Sequence, residues 1–169
     1  MNSPIPTNSP LAPLAQDHVV GLAKLAALDK AVADLAAKGT SPEALAVLDD
    51  FRAFLDGPLT RHFKQEEEAL FPPLEAVMGR DRGPTAVMRH EHVELLAAMD
   101  AWRSLADQVA AAPARTVSPA ALELQLVSRQ IIAGLGQHIH KEDNVLFPMS
   151  HRLLPPATLE NVGKKLAET

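Results

Sequence analysis

The sequence predicts an all-α protein, folded as an antiparallel up-down-up-down four-helix bundle with a short C-terminal helical segment. Hydrophobic residues make up 47% of the 169-residue chain, whereas aromatic residues make up only 4% and tyrosine is absent. The core must therefore be built mainly from Ala, Leu and Val, and Ala and Leu are strong helix formers. Apolar residues also recur at spacings of three and four, as in Val47, Phe51 and Phe54, which places them on one helix face.

The chain length suits one domain with a single core. The first residues are rich in Pro, Ser and Asn, so a flexible arm is expected over 1–9. We expect the four-helix bundle over 10–154 and a helical tail over 155–169.

Proline, serine and glycine set the predicted helix boundaries. Ser41-Pro42 and Ser118-Pro119 each place an N-cap serine before a proline at the first helical position. Phe71-Pro72-Pro73 and Phe147-Pro148 predict helix ends, and Gly57-Pro58 predicts a bend. The predicted helices run from Pro10 or Leu14 to Lys38, from Ser41 to about Leu70, from Gly83 to about Ala112, from Ser118 to about Phe147, and, as a short fifth helix, from Pro155 to Glu168.

Composition excludes several classes of function. The chain has no cysteine, which rules out disulfides, thiolate zinc sites, iron–sulfur clusters and cysteine nucleophiles. A net charge of −5 argues against nucleic acid or an anionic membrane as a partner. No apolar run is long enough to span a bilayer, and the first ten residues do not resemble a secretory signal. We therefore expect a cytoplasmic location; the oligomeric state is not predicted.

An internal repeat carries the candidate chemistry. The segment from His62 to Pro72 matches the segment from His138 to Pro148 position by position, with His, an acid four residues later, another acid, and Leu-Phe-Pro. Asp17-His18-Val19 likewise resembles Glu91-His92-Val93. The chain therefore consists of two tandem αα-hairpins, each with one His on its first helix and a His–Glu pair on its second.

The spacing of four brings the paired side chains to one helix face. Apolar neighbours direct that face towards the bundle interior, where isolated charge is costly and a metal ion is an effective partner. Two related hairpins predict two metals, with a carboxylate of each hairpin able to bridge them. Imidazole and carboxylate suit iron, manganese, zinc or nickel rather than calcium. The candidate ligands are His18, His62, Glu66, His92, His138 and Glu142.

Other histidines and acids compete with these candidates. His90 lies two residues from His92 and faces another side of the helix, and the repeat favours His92. His140 is expected in solvent, and His151 is expected to be structural or exposed. The remaining acids are expected to be surface charges, with Asp143 as the best alternative ligand; they are Glu67, Glu68, Glu91 and Asp143.

With these motifs, about residues 14–150 resemble the hemerythrin-like family, often called the HHE cation-binding domain. The resemblance implies two iron ions bridged by two carboxylates and an oxo or hydroxo group, with zinc or manganese as alternative metals. It also implies terminal ligands at His18, His62, His92 and His138, and bridges at Glu66 and Glu142.

The chain departs from the oxygen-carrying members of that family. They have a histidine four residues before the third-helix ligand, where this chain has Met88, and they place the last acid where this chain has Asp143. A set of four histidines and two carboxylates resembles instead the iron–sulfur cluster repair proteins, which react with nitric oxide. Those proteins usually carry a Cys-containing N-terminal domain, whereas this sequence has no cysteine.

Three functions follow as hypotheses from the ligand set and the resemblance. The first is a metal-binding protein that binds or senses oxygen or nitric oxide, or holds iron. The second is a di-iron enzyme: an oxidase, a peroxidase or a nitric oxide reductase. The third is a structural bundle that takes zinc or no metal.

Overall fold

The structure is a computed structural model of the chain, and it describes residues 8–168. The described residues form five helices, two of which contain short π-helical turns. Helix α1 is Ala12–Lys38, α3 is Pro84–Ala110 and α5 is Pro156–Glu168. Helix α2 covers 42–78, and its α-helical segments are Pro42–Phe54, Thr60–Gln65 and Phe71–Met78, joined by π turns at Leu55–Leu59 and Glu66–Leu70. Helix α4 covers 119–153, with α-helical segments Pro119–Lys141 and Phe147–Leu153 joined by a π turn at Glu142–Leu146.

Helices α1 to α4 form the predicted all-α bundle. Helix α3 packs along α4, α4 along α1, and α1 along α2, while α2 also contacts α3, so the four helices enclose one interior. Short connections make consecutive helices antiparallel. We call α1 with α2 the first hairpin and α3 with α4 the second hairpin. Among the described helices, none has the length and apolar character that crossing a membrane requires.

The predicted starts of α2 and α4 are confirmed by their serine caps. Ser41 Oγ accepts a hydrogen bond from the backbone N–H of Ala44 at 3.2 Å, and Ser118 Oγ accepts one from Ala121 at 3.2 Å. Each cap satisfies a backbone donor that would otherwise lack a partner in the first turn. Gly39 ends α1 with a φ of 78°, as its position after Lys38 predicts.

Two predicted helix ends are wrong, since α2 and α4 continue past their prolines. Phe71-Pro72-Pro73 and Phe147-Pro148 lie inside helical structure that runs on to Met78 and Leu153. In both places a π turn, Glu66–Leu70 or Glu142–Leu146, directly precedes the prolines. A π turn inserts an extra residue into the hydrogen-bond pattern. The prolines then begin a new α-helical segment, where a missing N–H is tolerated.

Other boundaries differ by smaller amounts. Helix α3 ends at Ala110 instead of Ala112, and the fifth helix begins at Pro156. The expected arm at 1–9 lies outside the described residues, except for its last two. Of these, Ser9 is 9% exposed and its Oγ is 3.0 Å from His151 Nε2.

Two apolar clusters occupy the bundle interior. We call them the upper and the lower cluster, and along α2 the upper one includes residues up to Phe63, whereas the lower one begins at Ala69. In α4 the corresponding limits are Ile139 and Leu146. The lower cluster also contains Leu159, Val162 and Leu166 of α5, so the fifth helix closes that end of the bundle. Polar residues lie in the layer between the clusters.

Candidate metal centre

All six candidate ligands lie in the layer between the two apolar clusters. None of their side chains is appreciably accessible, because the four histidines are at most 3% exposed and both glutamates are 0% exposed. Each of the four bundle helices contributes at least one. They are His18 from α1, His62 and Glu66 from α2, His92 from α3, and His138 and Glu142 from α4.

The first of two groups is centred on the histidines of the second hairpin. It joins Glu66, His92, His138 and Glu142, with one ligand atom of each within 4.8 Å of the others. The Nε2 atoms of His92 and His138 are 3.1 Å apart. Glu66 Oε2 is 3.2 Å from His92 Nε2, and Glu142 Oε1 is 2.9 Å from His138 Nε2.

The second group is centred on the histidines of the first hairpin. The Nε2 atoms of His18 and His62 are 3.3 Å apart, and Glu142 Oε2 lies 2.9 Å from the former and 3.9 Å from the latter. Glu66 Oε2 is also 3.8 Å from His62 Nε2. Glu142 thus presents one oxygen to each histidine pair, and Glu66 contacts histidines of both pairs.

Four further carboxylates form an outer ring around the histidines. Each accepts a hydrogen bond from Nδ1 of a histidine on the next helix. The contacts therefore run from α1 to α2, from α2 to α3, from α3 to α4, and from α4 back to α1. The pairs are Asp17 with His62 at 3.3 Å, Glu67 with His92 at 2.7 Å, Glu91 with His138 at 2.9 Å, and Asp143 with His18 at 2.8 Å.

The outer ring corrects the expectation that Glu67, Glu91 and Asp143 are surface charges. Their side chains are only partly exposed, and each fixes the orientation of a buried imidazole. Asp143 contacts His18 from outside the cluster, so it does not replace Glu142 as an inward-facing residue. A signal was available in the sequence, because every one of these acids directly adjoins a candidate ligand.

The remaining competitors lie away from the cluster. His90 is exposed and its Nε2 is 3.3 Å from the Glu94 carboxylate on the same helix. His140 is exposed and contacts Asn144. His151 is exposed and contacts Ser9. Glu68 is exposed, with its carboxylate 4.0 Å from Lys64 Nζ.

The cluster has the electrostatic character of a cation site. Because a carboxylate only accepts, each Nδ1 carries the hydrogen, and a neutral imidazole then directs an Nε2 lone pair inward. The Glu66 and Glu142 carboxylates, despite their short contacts, have no hydrogen-bond donor of acceptable geometry among the described residues. Buried carboxylates and converging lone pairs need a positive charge between them. The donor set therefore fits a metal ion.

In the absence of metal, protons supply that charge. Burial alone would lower the pKa of His18, but contacts with Asp143 and Glu142 raise it to about 9. Burial would also lower the pKa values of His62 and His138, but the surrounding carboxylates raise them to about 10 and about 11. Burial would raise the pKa of Glu142, and contacts with His138, His18 and His62 hold it well below 4.5.

Phenylalanines wall the cluster in a pattern that repeats between the hairpins. Phe147 stacks on His18 with ring centroids 5.4 Å apart, and Phe71 stacks on His92 at 5.7 Å. Both phenylalanines are 0% exposed members of the lower apolar cluster. They are therefore core residues, and they also exclude water from one side of the imidazoles.

Comparison with known proteins identifies the family. The family model described as the hemerythrin HHE cation binding domain matches residues 9–150. The chain belongs to this family. No solved structure gives a significant match.

Similar curated proteins extend the comparison of this hemerythrin-domain chain. The iron–sulfur cluster repair protein YtfE of Musicola paradisiaca is 32% identical over 115 residues, covering 68% of this chain and 47% of that protein. The protein of the same name from Dickeya chrysanthemi is 34% identical over 106 residues, covering 62% and 47%. That of Yersinia pestis is 34% identical over 116 residues, covering 68% and 50%. The chain thus spans about half the length of these relatives.

Proposed function

We propose that this hemerythrin-domain protein holds two carboxylate-bridged iron ions and uses them to bind or sense a diatomic, oxygen or nitric oxide, or to hold iron. The observation that carries the proposal is the position of Glu142, whose two oxygens face two separate histidine pairs. His18 and His62 would hold one ion, and His92 and His138 the other. Glu66 and Glu142 would bridge the two.

The protein's contribution to this chemistry is positioning and exclusion of water. When bound, the iron pair would supply redox-active positions at which a diatomic can bind. The outer carboxylates keep each hydrogen on Nδ1, so that Nε2 is free to coordinate. The apolar clusters above and below keep bulk water away from the ions. Met88 is buried in the lower cluster at the position where the oxygen carriers have a further histidine, which leaves fewer nitrogen ligands here.

Metal analysis of the protein produced with added iron tests the proposal. We expect about two iron atoms per chain and an absorption spectrum of an oxo-bridged di-iron centre that dithionite bleaches. His62→Ala and His92→Ala should each lower the iron content. His90→Ala is a matched control on the same helix as His92, and it should leave the iron content unchanged because His90 faces solvent.

Two results would contradict the proposal. Unchanged iron in His62→Ala would remove that residue from the ligand set. A protein that contains zinc or no metal, and whose melting temperature does not respond to added iron, would favour the purely structural bundle, because a metal that binds only the folded state must stabilise it.

A di-iron enzyme is the second candidate, and the similarity to proteins named for iron–sulfur cluster repair favours it. A peroxidase, oxidase or nitric oxide reductase would turn over repeatedly, whereas a carrier or sensor binds its ligand once per site. Sustained consumption of hydrogen peroxide or nitric oxide by the reduced protein, lost in Glu142→Ala, would support the enzyme. Binding that stops at one equivalent per centre would support the carrier or sensor.

A further inference from the structure

A small pocket leads from the protein surface to the candidate metal centre. Its volume is about 20 Å³, room for the centre of one water-sized molecule. It is bounded by exposed Val20 and Pro58 on the outside and reaches the buried residues His18, His62 and Glu142. Most of its other walls are apolar. The pocket therefore suits one small uncharged molecule, since an ion would lose its hydration there.

Gly21 keeps this pocket open. The residue is buried on α1, one helical turn beyond His18, and lines the pocket together with Phe54 and Ile139. A Cβ atom at position 21 would lie 3.5 Å from Phe54 Cζ and 3.7 Å from Ile139 Cδ1. These are ordinary contact distances, so alanine fits without displacing either neighbour. A longer side chain would extend into the space that the pocket now occupies.

The repeat shows what happens when that position is filled. In the second hairpin the residue three after the α3 histidine is Leu95, which is 5% exposed. Its Cδ2 lies 3.3 Å from the place where a Cβ of Gly134 would be, so leucine fills the space beside α4. The corresponding surface hollow is lined by Glu91, Gln130 and Gly134, and none of the six candidate ligands lines it.

We propose that Gly21 and Leu95 together make access to the centre one-sided: Gly21 opens a path for a small uncharged ligand through the first hairpin, and Leu95 closes the equivalent path through the second. The inference rests on the proposed function, because it assigns the route by which the diatomic reaches the metals. It makes Gly21 the residue that sets the size of ligand admitted.

Stopped-flow binding of nitric oxide to the reduced, iron-loaded protein tests the route. Gly21→Leu, which copies the second hairpin, should lower the bimolecular rate constant by about tenfold or more, while iron content and the resting spectrum stay unchanged. Gly21→Ala should fall between wild type and leucine, and it serves if the leucine variant does not fold. Gly136→Leu is the control, because nothing lies within 4 Å of a Cβ at that position.

A second measurement needs no metal. Dissolved oxygen is paramagnetic, so in the metal-free protein it should broaden the NMR signal of the Ile139 δ-methyl more than those of the Leu95 methyls. Gly21→Leu should abolish that excess broadening, and Gly136→Leu should not.

The two measurements separate the possible failures. Equal broadening of Ile139 and Leu95 in the wild-type protein, or a nitric oxide rate that is the same in all Gly21 variants, would overturn the one-sided path. A wild-type protein that takes up no iron, but whose metal-free form shows the excess broadening at Ile139, would overturn the proposed function while the assignment of the pocket stands.

Discussion

At the scale of single residues, the duplication of the sequence extends to individual hydrogen bonds. Asp17 precedes His18 and contacts His62, and in the second hairpin Glu91 precedes His92 and contacts His138. Likewise, Glu67 follows Glu66 and contacts His92, and Asp143 follows Glu142 and contacts His18. Each carboxylate of the outer ring therefore belongs to one helix and orients the imidazole of the next, so the ring ties all four helices to the cluster.

Removal of one outer carboxylate should weaken metal binding without removing a ligand. Glu91→Ala leaves His138 in place but takes away the acceptor that holds its Nδ1 hydrogen, so we expect metal affinity to fall by about 10- to 100-fold. Titration of the metal-free protein with iron(II) or zinc in competition with a chelator measures the change. Glu94→Ala on the same helix is the control, because Glu94 is exposed and contacts His90. Equal affinities in the two variants would contradict this role for Glu91.

The convergence of the six candidate ligands could be predicted from the sequence, whereas the carboxylates of the outer ring could not be distinguished from ordinary surface charges. The spacing of four in His62–Glu66 and His138–Glu142 fixes a common helix face, and the repeat fixes which histidines accompany the pairs. Glu67 lies one residue from Glu66, about 100° around the helix, and faces partly outward. Its contact with His92 depends on how closely α2 and α3 pack, which the sequence of either helix does not specify.

At the scale of the elements, the same repeat explains where helix prediction failed. The bridging candidates Glu66 and Glu142 each begin a π turn, and Leu-Phe-Pro follows each of them. A π turn has almost no composition signal of its own, so proline after it resembles a helix end. The caps at Ser41 and Ser118 were predictable because a side chain hydrogen bond to the next turn needs only local sequence.

The connection between α1 and α2 supports a prediction about glycine. Gly39 has a φ of 78°, and a Cβ there would lie 2.5 Å from the backbone of Arg115 and Thr116. Gly79, after α2, has a φ of 87° with no atom within 4 Å of its Cβ position. Gly79→Ala should lower the free energy of unfolding by about 1–3 kcal/mol through backbone strain alone. Gly39→Ala should lower it further, because its Cβ would also clash with the backbone of Arg115 and Thr116.

Urea unfolding of the two glycine variants measures this difference. Both positions lie outside the candidate ligand set, so iron content per folded chain should match the wild type in each. Equal losses of unfolding free energy would mean that the loop carrying Arg115 moves aside without cost, contrary to the close packing of the two connections.

At the scale of the whole molecule, the cluster is a layer of charge held between two apolar cores. The upper cluster is formed by the four bundle helices, and the lower cluster also includes Leu11 and residues of α5. Gln65, next to Glu66, donates a hydrogen bond from Nε2 to the backbone oxygen of Leu166 at 2.8 Å. The folding free energy of both cores therefore holds the buried charges together, and the stability of the fold must depend on what neutralises them.

That dependence gives a pH prediction for the metal-free protein. The pKa values of His18, His62 and His138 are raised from 6.5 to about 9, 10 and 11. A group with a raised pKa stabilises the fold fully below its unfolded value and loses that contribution as pH rises through its folded value. The free energy of unfolding with chelator present should therefore fall steadily from pH 6.5 to 9 and beyond. Below about pH 4.5, the lowered pKa of Glu142 acts in the opposite direction, since stability is lost as that carboxylate gains a proton.

Saturation with metal should remove the alkaline loss. Bound ions replace the imidazole protons, so metal uptake at pH 7 should release protons, and affinity should rise with pH. Urea unfolding at pH 6, 7, 8 and 9, with chelator and with saturating zinc, gives both curves, and proton release is measured with a pH indicator in weak buffer. The zinc-saturated curve should stay flat across the range in which the metal-free curve falls. Parallel curves without proton release would mean that the histidines are neutral in the metal-free fold, and that something other than their protons balances Glu66 and Glu142.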